Sequence, residues 1–301
     1  MENKKAELTS KQLITIIILI VSFAIILIFF VSLNLRKTID TEACRNSVIL
    51  RGSLPFGADT VQLKCKTQDV CLSMGDDCDI TREGLTTIKV KDENELTKEM
   101  VNLLWDCWWM MGEGKVNYMP SSIGKKEAYC SICSKVYFDD KIQSKYREQG
   151  GIPYSLMYNY MQSVKVPERD ESFLFSIYKV NSIESIRQEL LNKQSYDIYN
   201  YKLNPEEEHV IMTAISEKDG WGAEAIATGA GAVVGGIVGS LFGGPLGTIG
   251  GGYGGAAAGG MLGFLIGSSG GELQYLGPTI LPFRSAELKK AINCKEYISE
   301  G

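Results

Sequence analysis

Histidine is almost missing from this sequence: His209 is the only one among 301 residues. That absence removes most hydrolytic arrangements that use imidazole as a base. Excess positive charge is missing too. Lysine and arginine number 31 against 36 acidic residues, a formal net charge of −5. With no basic stripe interleaved with aromatics, a nucleic-acid partner has no electrostatic basis. A second Cys-x-x-Cys is also lacking. Cys130 and Cys133 form one such pair, while Cys65, Cys71 and Cys78 stand at looser spacings. This set matches no structural zinc pattern, so neither a metal nor a cofactor is expected.

Charge is absent from two long stretches. The first runs from Gln12 to Leu35 and contains "LITIIILIVSFAIILIFFVSL", Leu13 to Leu33. As a helix, that run spans roughly 31 Å, matching a hydrocarbon core of about 30 Å. A transmembrane anchor over residues 13–35 is the expectation. A cleaved secretory signal fits less well, because the run exceeds the usual apolar core of such signals and no small-x-small site follows. Lys4, Lys5 and Lys11 precede the span and Arg36, Lys37, Arg45 and Arg51 follow it, so flanking charge does not set the orientation. The cysteines do. All eight, Cys44, Cys65, Cys71, Cys78, Cys107, Cys130, Cys133 and Cys294, follow the span. An even number on one side suits disulfides in an oxidising space. The expected location is therefore the cell membrane, with a short cytoplasmic head (residues 1–12) and the main domain outside.

The head, "KKAELTSKQLITIIILI", resembles the leader of archaeal pilin-like proteins. The resemblance implies cleavage after Ala6 and a pilin-like filament subunit, but Lys11 stands where that family carries a glutamate.

Residues 39–222 read as a cysteine-containing α+β domain. Strand patterns are "NSVILRG", "TVQLKCKT", "TTIKVKD", "CSKVYFDD", "SFLFSIYKV" and "EEHVIMTAIS". Helix patterns are "ENELTKEMVNLLWDCWWMMGEGK" and "SIESIRQELLNK", the second opened by Ser182. In the first, Met100, Leu103, Leu104, Cys107, Trp108 and Met111 share a side. Trp105, Trp108 and Trp109 read as core packing at helical spacing, with an aromatic binding surface as the alternative. Residues 272–301 supply a strand, "GPTILPF", and a last helix, "SAELKKAINCKEY", completing the domain.

The second uncharged stretch lies between Glu224 and Glu272, and 19 of the 32 glycines fall between Gly229 and Gly271. A flexible linker is excluded by the interleaved Val, Ile, Leu, Phe and Met. A lone helix in water is excluded by cost: five glycines between Ile226 and Phe242 subtract roughly 4–5 kcal/mol against alanine. Two apparent motifs follow from glycine density alone. "GSSGG", Gly267 to Gly271, fits G-x-S-x-G without the strand and helix that a nucleophile elbow requires. "GAGAVVG" half-fits a dinucleotide loop, but no ribose-binding acid occurs before Glu272.

Glycine every fourth position lets helix backbones approach closely. The tract resembles the glycine-zipper segments of membrane proteins, with packing positions at Gly231, Gly235, Gly239, Gly243, Gly255, Gly259, Gly263 and Gly267. The resemblance implies a helical hairpin over residues 223–271, with arms Ala225 to Phe242 and Gly254 to Ile266 and a turn near Pro245 or "GGGYGG". Its partners would be the lipid bilayer and a second copy or another membrane protein. With "LKCKT", "CSIC" and the C-terminal cysteine, the whole chain resembles uncharacterised membrane-anchored envelope proteins of small-genome archaea. That resemblance carries no activity.

Two functions of different class follow. The first is a non-enzymatic, membrane-anchored surface protein whose hairpin drives oligomeric assembly or membrane insertion, as a pore or an envelope complex. The second is a thiol–disulfide oxidoreductase. "AYCSICSKV" resembles the dithiol of thioredoxin-like proteins, in which an aromatic residue precedes Cys-x-x-Cys. That chemistry needs a thiolate at a helix N-terminus, whereas the residues after Cys133 read as a strand. Structural disulfides are the expectation for both cysteines.

Overall fold

Asp92 begins an 18-residue helix. Its carboxylate accepts the Glu95 backbone N–H at 2.9 Å, while Glu95 accepts the N–H of Lys91 at 2.8 Å. This reciprocal cap satisfies donors that the first helical turn leaves open. The helix, α3, spans Glu93–Met110. It buries Leu96, Met100, Leu103, Leu104, Cys107 and Trp108, so the apolar side expected from its spacing is the side that faces the core.

A computed structural model describes residues 10–32, 35–54, 60–75, 78, 80, 82, 84–120, 123, 128–184, 202–217, 265–267, 273–283 and 294–298. The chain divides into two compact units, Met1–Glu42 and Ala43–Gly301.

The first unit contains α1, Ser10–Ser32, and the start of α2, Leu35–Ser53. Among the described residues no helix is long and apolar enough to cross a membrane. The expected transmembrane anchor, and the membrane location and sidedness derived from it, are corrected on that finding.

The second unit is an α+β fold on a mixed sheet. Its strands are β1 (Gln68–Ser73), β2 (Thr86–Lys89), β3 (Ala128–Phe138), β6 (His209–Glu217), β7 (Leu265–Gly267), β8 (Leu273–Pro282) and β9 (Cys294–Ile298). They run in the order β2-β1-β3-β6-β8-β7, with β9 also paired to β3. The β1–β2, β1–β3 and β3–β9 pairs are parallel. The pairs β3–β6, β6–β8 and β7–β8 are antiparallel. A small separate pair joins β4 (Ile152–Pro153) to β5 (Lys202–Leu203).

One sheet face carries α3 together with α5 (Tyr154–Ser163) and α6 (Phe173–Tyr178). Helix α5 turns Tyr154, Met157, Tyr158 and Met161 inward, the spacing of an amphipathic helix. Helix α4 (Asp140–Arg147) starts at Asp139, which also takes the Ser73 hydroxyl and the Gly75 N–H, each at 2.8 Å. That carboxylate thereby holds the loop after β1. The opposite sheet face buries Ala128, Cys130, Ile132, Val210, Met212, Ala214, Leu276 and Leu281 as a second cluster.

Four local expectations differ from the structure. "NSVILRG" belongs to α2, because Cys44, Ser47, Val48 and Arg51 point inward. That is a 3.6-residue period hidden by a serine and an arginine, and it leaves Ile49 and Leu50 outside. "SFLFSIYKV" contains α6, capped by Ser172 and ended by Lys179 in the left-handed region. Its continuous burial has no periodicity that separates helix from strand. "TVQLKCKT" alternates inward at Leu63 and Cys65 yet pairs with no strand before β1. The expected last helix gives way at Cys294 to β9, and residues 284–293 lie outside the described residues. So does "SIESIRQELLNK" beyond Glu184.

Candidate functional site

Strand β3 is the most heavily braced element. Its ladder with β6 shifts register between Ile132 and Ser134, so Cys133 is the extra residue of a β-bulge. Before the bulge, Ala128, Cys130 and Ile132 face the second cluster. After it, Val136 and Phe138 join Tyr129 and Cys133 in the main core. Side chains three apart on a strand point to opposite faces, which separates the two cysteines of "CSIC". Each bonds elsewhere. Cys133 is joined to Cys107 of α3, and Cys130 to Cys294 of β9, with Cα separations of 5.5 and 5.7 Å.

Cys44–Cys65 and Cys71–Cys78 complete the set at 4.4 and 6.5 Å. All four separations lie within the range a disulfide spans, and no free cysteine remains. The dithiol geometry is thus absent: Cys130 and Cys133 sit in mid-strand and in different bridges.

Of the zipper positions, Gly267 is the one described. It ends β7 and pairs with Gln274; Leu265 and Ile266, expected at the end of the second helical arm, are strand residues. Gly231, Gly235, Gly239, Gly243, Gly255, Gly259 and Gly263 lie outside the described residues.

A second constellation centres on Glu113. After α3 the chain turns through Gly112, Glu113 and Gly114, with φ of 78°, 57° and 69°. The left-handed region costs a non-glycine residue about 1–2 kcal/mol, and Glu113 is held there by its partners. Arg169 donates from Nη1 and Nη2 to its two oxygens at 2.8 and 3.0 Å. Arg45 donates at 3.2 Å and Lys115 at 3.4 Å.

Each guanidinium also lies over an indole: Arg45 over Trp109 at 4.3 Å, and Arg169 over Trp105 at 4.8 Å. Arg45 further donates to the Trp109 carbonyl. Burial alone would push the Glu113 carboxyl up. The Arg169 hydrogen bonds and the charges of Lys115, Arg169 and Arg45 outweigh burial and hold its pKa at about 2. Lys179 stands nearby, its pKa lowered first by burial and then by repulsion from Lys115 and Arg169, against the pull of Glu171 and Glu113.

The tryptophan cluster therefore divides. Trp108 is core, donating its indole N–H to the Ser176 carbonyl at 3.2 Å. Gly114 must be glycine beside it, because a Cβ there would meet the Trp108 ring at 2.8 Å. Trp105 and Trp109, four apart on α3, form a half-buried rim with the two arginines. Sequence reasoning missed this arrangement. Its one local signal is "GEG", an acid between two glycines directly after an aromatic helix.

His209 opens β6 fully buried, edge-on to Phe138 at 6.1 Å between ring centroids. Neither ring nitrogen makes a well-formed hydrogen bond among the described residues, although contact with the Glu207 backbone and the Glu207 charge favour the charged ring. Burial dominates and lowers its pKa to about 4. Among the described residues no group of three or more His, Cys, Asp or Glu side chains is placed to hold a metal ion. No protein family, curated protein or solved structure matches the chain.

Proposed function

We propose that this chain is a non-enzymatic assembly protein: a disulfide-braced α+β domain that carries its glycine tract as the self-association element. The observation behind this reading is where the tract is tethered. It leaves β6 after Glu217, which pairs with Leu273, and returns at Leu265, which pairs with Leu276. Both attachment strands are antiparallel to β8 and flank it, so they run parallel to each other. A parallel crossover needs a dozen or more residues and is usually helical. Two strand spacings place the attachment strands about 10 Å apart, the separation of two packed helices. The tether thus suits a hairpin of two adjacent arms.

Physical chemistry supplies the association. Residues 218–264 interleave glycine with Val, Ile, Leu, Phe and Met, without charge after Glu224. Alone in water such arms lose too much to glycine. Packed against a second copy they bury apolar side chains and bring backbones into close contact. The four disulfides agree with maturation under oxidising conditions. The test replaces residues 218–264 with a Gly/Ser linker of equal length and compares cross-linked products with the parent. Loss of the parent's oligomers with all four disulfides intact supports the reading. Identical oligomers refute it.

A further inference from the structure

The inward period of α2 leaves its apolar run facing solvent. Among the described residues of the second unit, the exposed large hydrophobics are Ile49 (37%), Leu50 (54%), Leu54 (37%) and Phe283 (36%). Leu50 lies about 100° round the helix from Ile49 and Leu54 follows the helix end, so Ile49 is the one that shares a face with Arg45.

Arg45 lies one helical turn before Ile49, on the same face of α2. It leads into the Glu113 constellation, where three cations surround one carboxylate. The local charge is +2 in a chain of net charge −5. The side chains of Arg45 and Arg169 are 23% and 34% exposed, and Lys115 is 68% exposed. The guanidiniums are held on their indoles, so little side-chain entropy remains to be lost when a ligand arrives. Arginine and tryptophan beside apolar side chains is the composition of binding hot spots.

We propose that this face binds an acidic peptide segment of a partner protein, with carboxylates on Arg45, Lys115 and Arg169 and an apolar side chain on Ile49. Fixed, part-buried guanidiniums favour directional carboxylate recognition over a lipid headgroup layer, which mobile surface lysines serve as well. Glu113 orients the arginines and leaves the outer cations in excess.

The experiment titrates the full chain into a short labelled peptide of repeating Glu-Glu-Leu, followed by fluorescence anisotropy. A Lys-Lys-Leu peptide, a Glu-Glu-Ser peptide and vesicles of phosphatidylserine serve as comparisons. Saturable binding of the Glu-Glu-Leu peptide is expected, weakened by salt. Lys115→Glu and Ile49→Ser should each weaken it by about tenfold. Both positions are exposed, so an unchanged thermal midpoint confirms that the fold survives. The proposal is overturned if Glu-Glu-Leu and Lys-Lys-Leu bind alike, if both variants bind as the parent does, or if no peptide binds. It is also overturned if vesicles bind through these residues while the peptide does not, which would mark the face as a lipid surface.

Discussion

Arg169 grips both carboxylate oxygens of Glu113, Nη1 to Oε2 at 2.8 Å and Nη2 to Oε1 at 3.0 Å. The residues are 56 positions apart, so this fork ties the segment before α6 to the turn after α3. Arg45 adds α2 to the same carboxylate. One side chain therefore joins three elements that share no backbone ladder.

Neutralising that carboxylate should loosen all three. Glu113→Gln removes the charge that two arginines and a lysine face, at a cost of about 2–3 kcal/mol. The pH dependence has a definite sign. A carboxyl whose folded pKa is held at about 2 stabilises the fold above the unfolded value of about 4.3. That contribution disappears as pH falls from there to about 2. Urea denaturation of parent and variant should differ at pH 6 and converge near pH 2; a constant difference across that range would contradict the assignment.

His209 acts in the adjacent window. Its folded pKa is about 4, below the ordinary value of about 6.5, so the unfolded chain takes up a proton first. Stability should fall as pH drops from about 6.5 to about 4, by up to roughly 3 kcal/mol, and then level for this group. His209→Leu should lack that limb. A His209 ring that titrates near 6.5 in the folded protein, followed by NMR, would show that the imidazole is not held neutral by burial.

The disulfides differ in the loops they close. Cys130–Cys294 spans 164 positions and Cys71–Cys78 spans 7. In the chain-entropy account these correspond to about 5 and about 2.5 kcal/mol. Cys130→Ser/Cys294→Ser should therefore lower the denaturation midpoint more than Cys71→Ser/Cys78→Ser. Peptide mapping without reduction should recover Cys107 linked to Cys133 and no fragment closed by a Cys130–Cys133 bond.

Much of the sheet was legible because its residues obey simple periods. Strands β3, β6 and β8 announce themselves through Val, Ile and Tyr, and α3 through its apolar stripe. Helices α2 and α6 were not legible. In α2 the buried stripe uses Ser47 and Arg51 while Ile49 and Leu50 face outward, so local hydrophobicity reads the wrong side. In α6 every position but Phe175 is buried, which erases the period. That the cysteines pair was readable from their even number, but which pair was not: eight cysteines allow about 105 connectivities. That Cys130 and Cys133 face apart follows from their spacing once the segment is a strand, whereas the bulge at Cys133 is set by the pairing with β6, a long-range property. The Glu113 constellation draws on positions 45, 113, 115 and 169, and no window of sequence contains them together.

The central claim is that the glycine tract brings copies of the chain together by close backbone packing. Sedimentation equilibrium of the parent and of Gly235→Leu/Gly239→Leu tests it most directly. Leucine makes the tract more apolar, so an association driven by hydrophobicity alone would persist or strengthen. Association that needs two missing side chains should collapse. The account predicts an oligomeric parent and a monomeric variant, both with all cysteines paired. A variant with the parent's mass would contradict it.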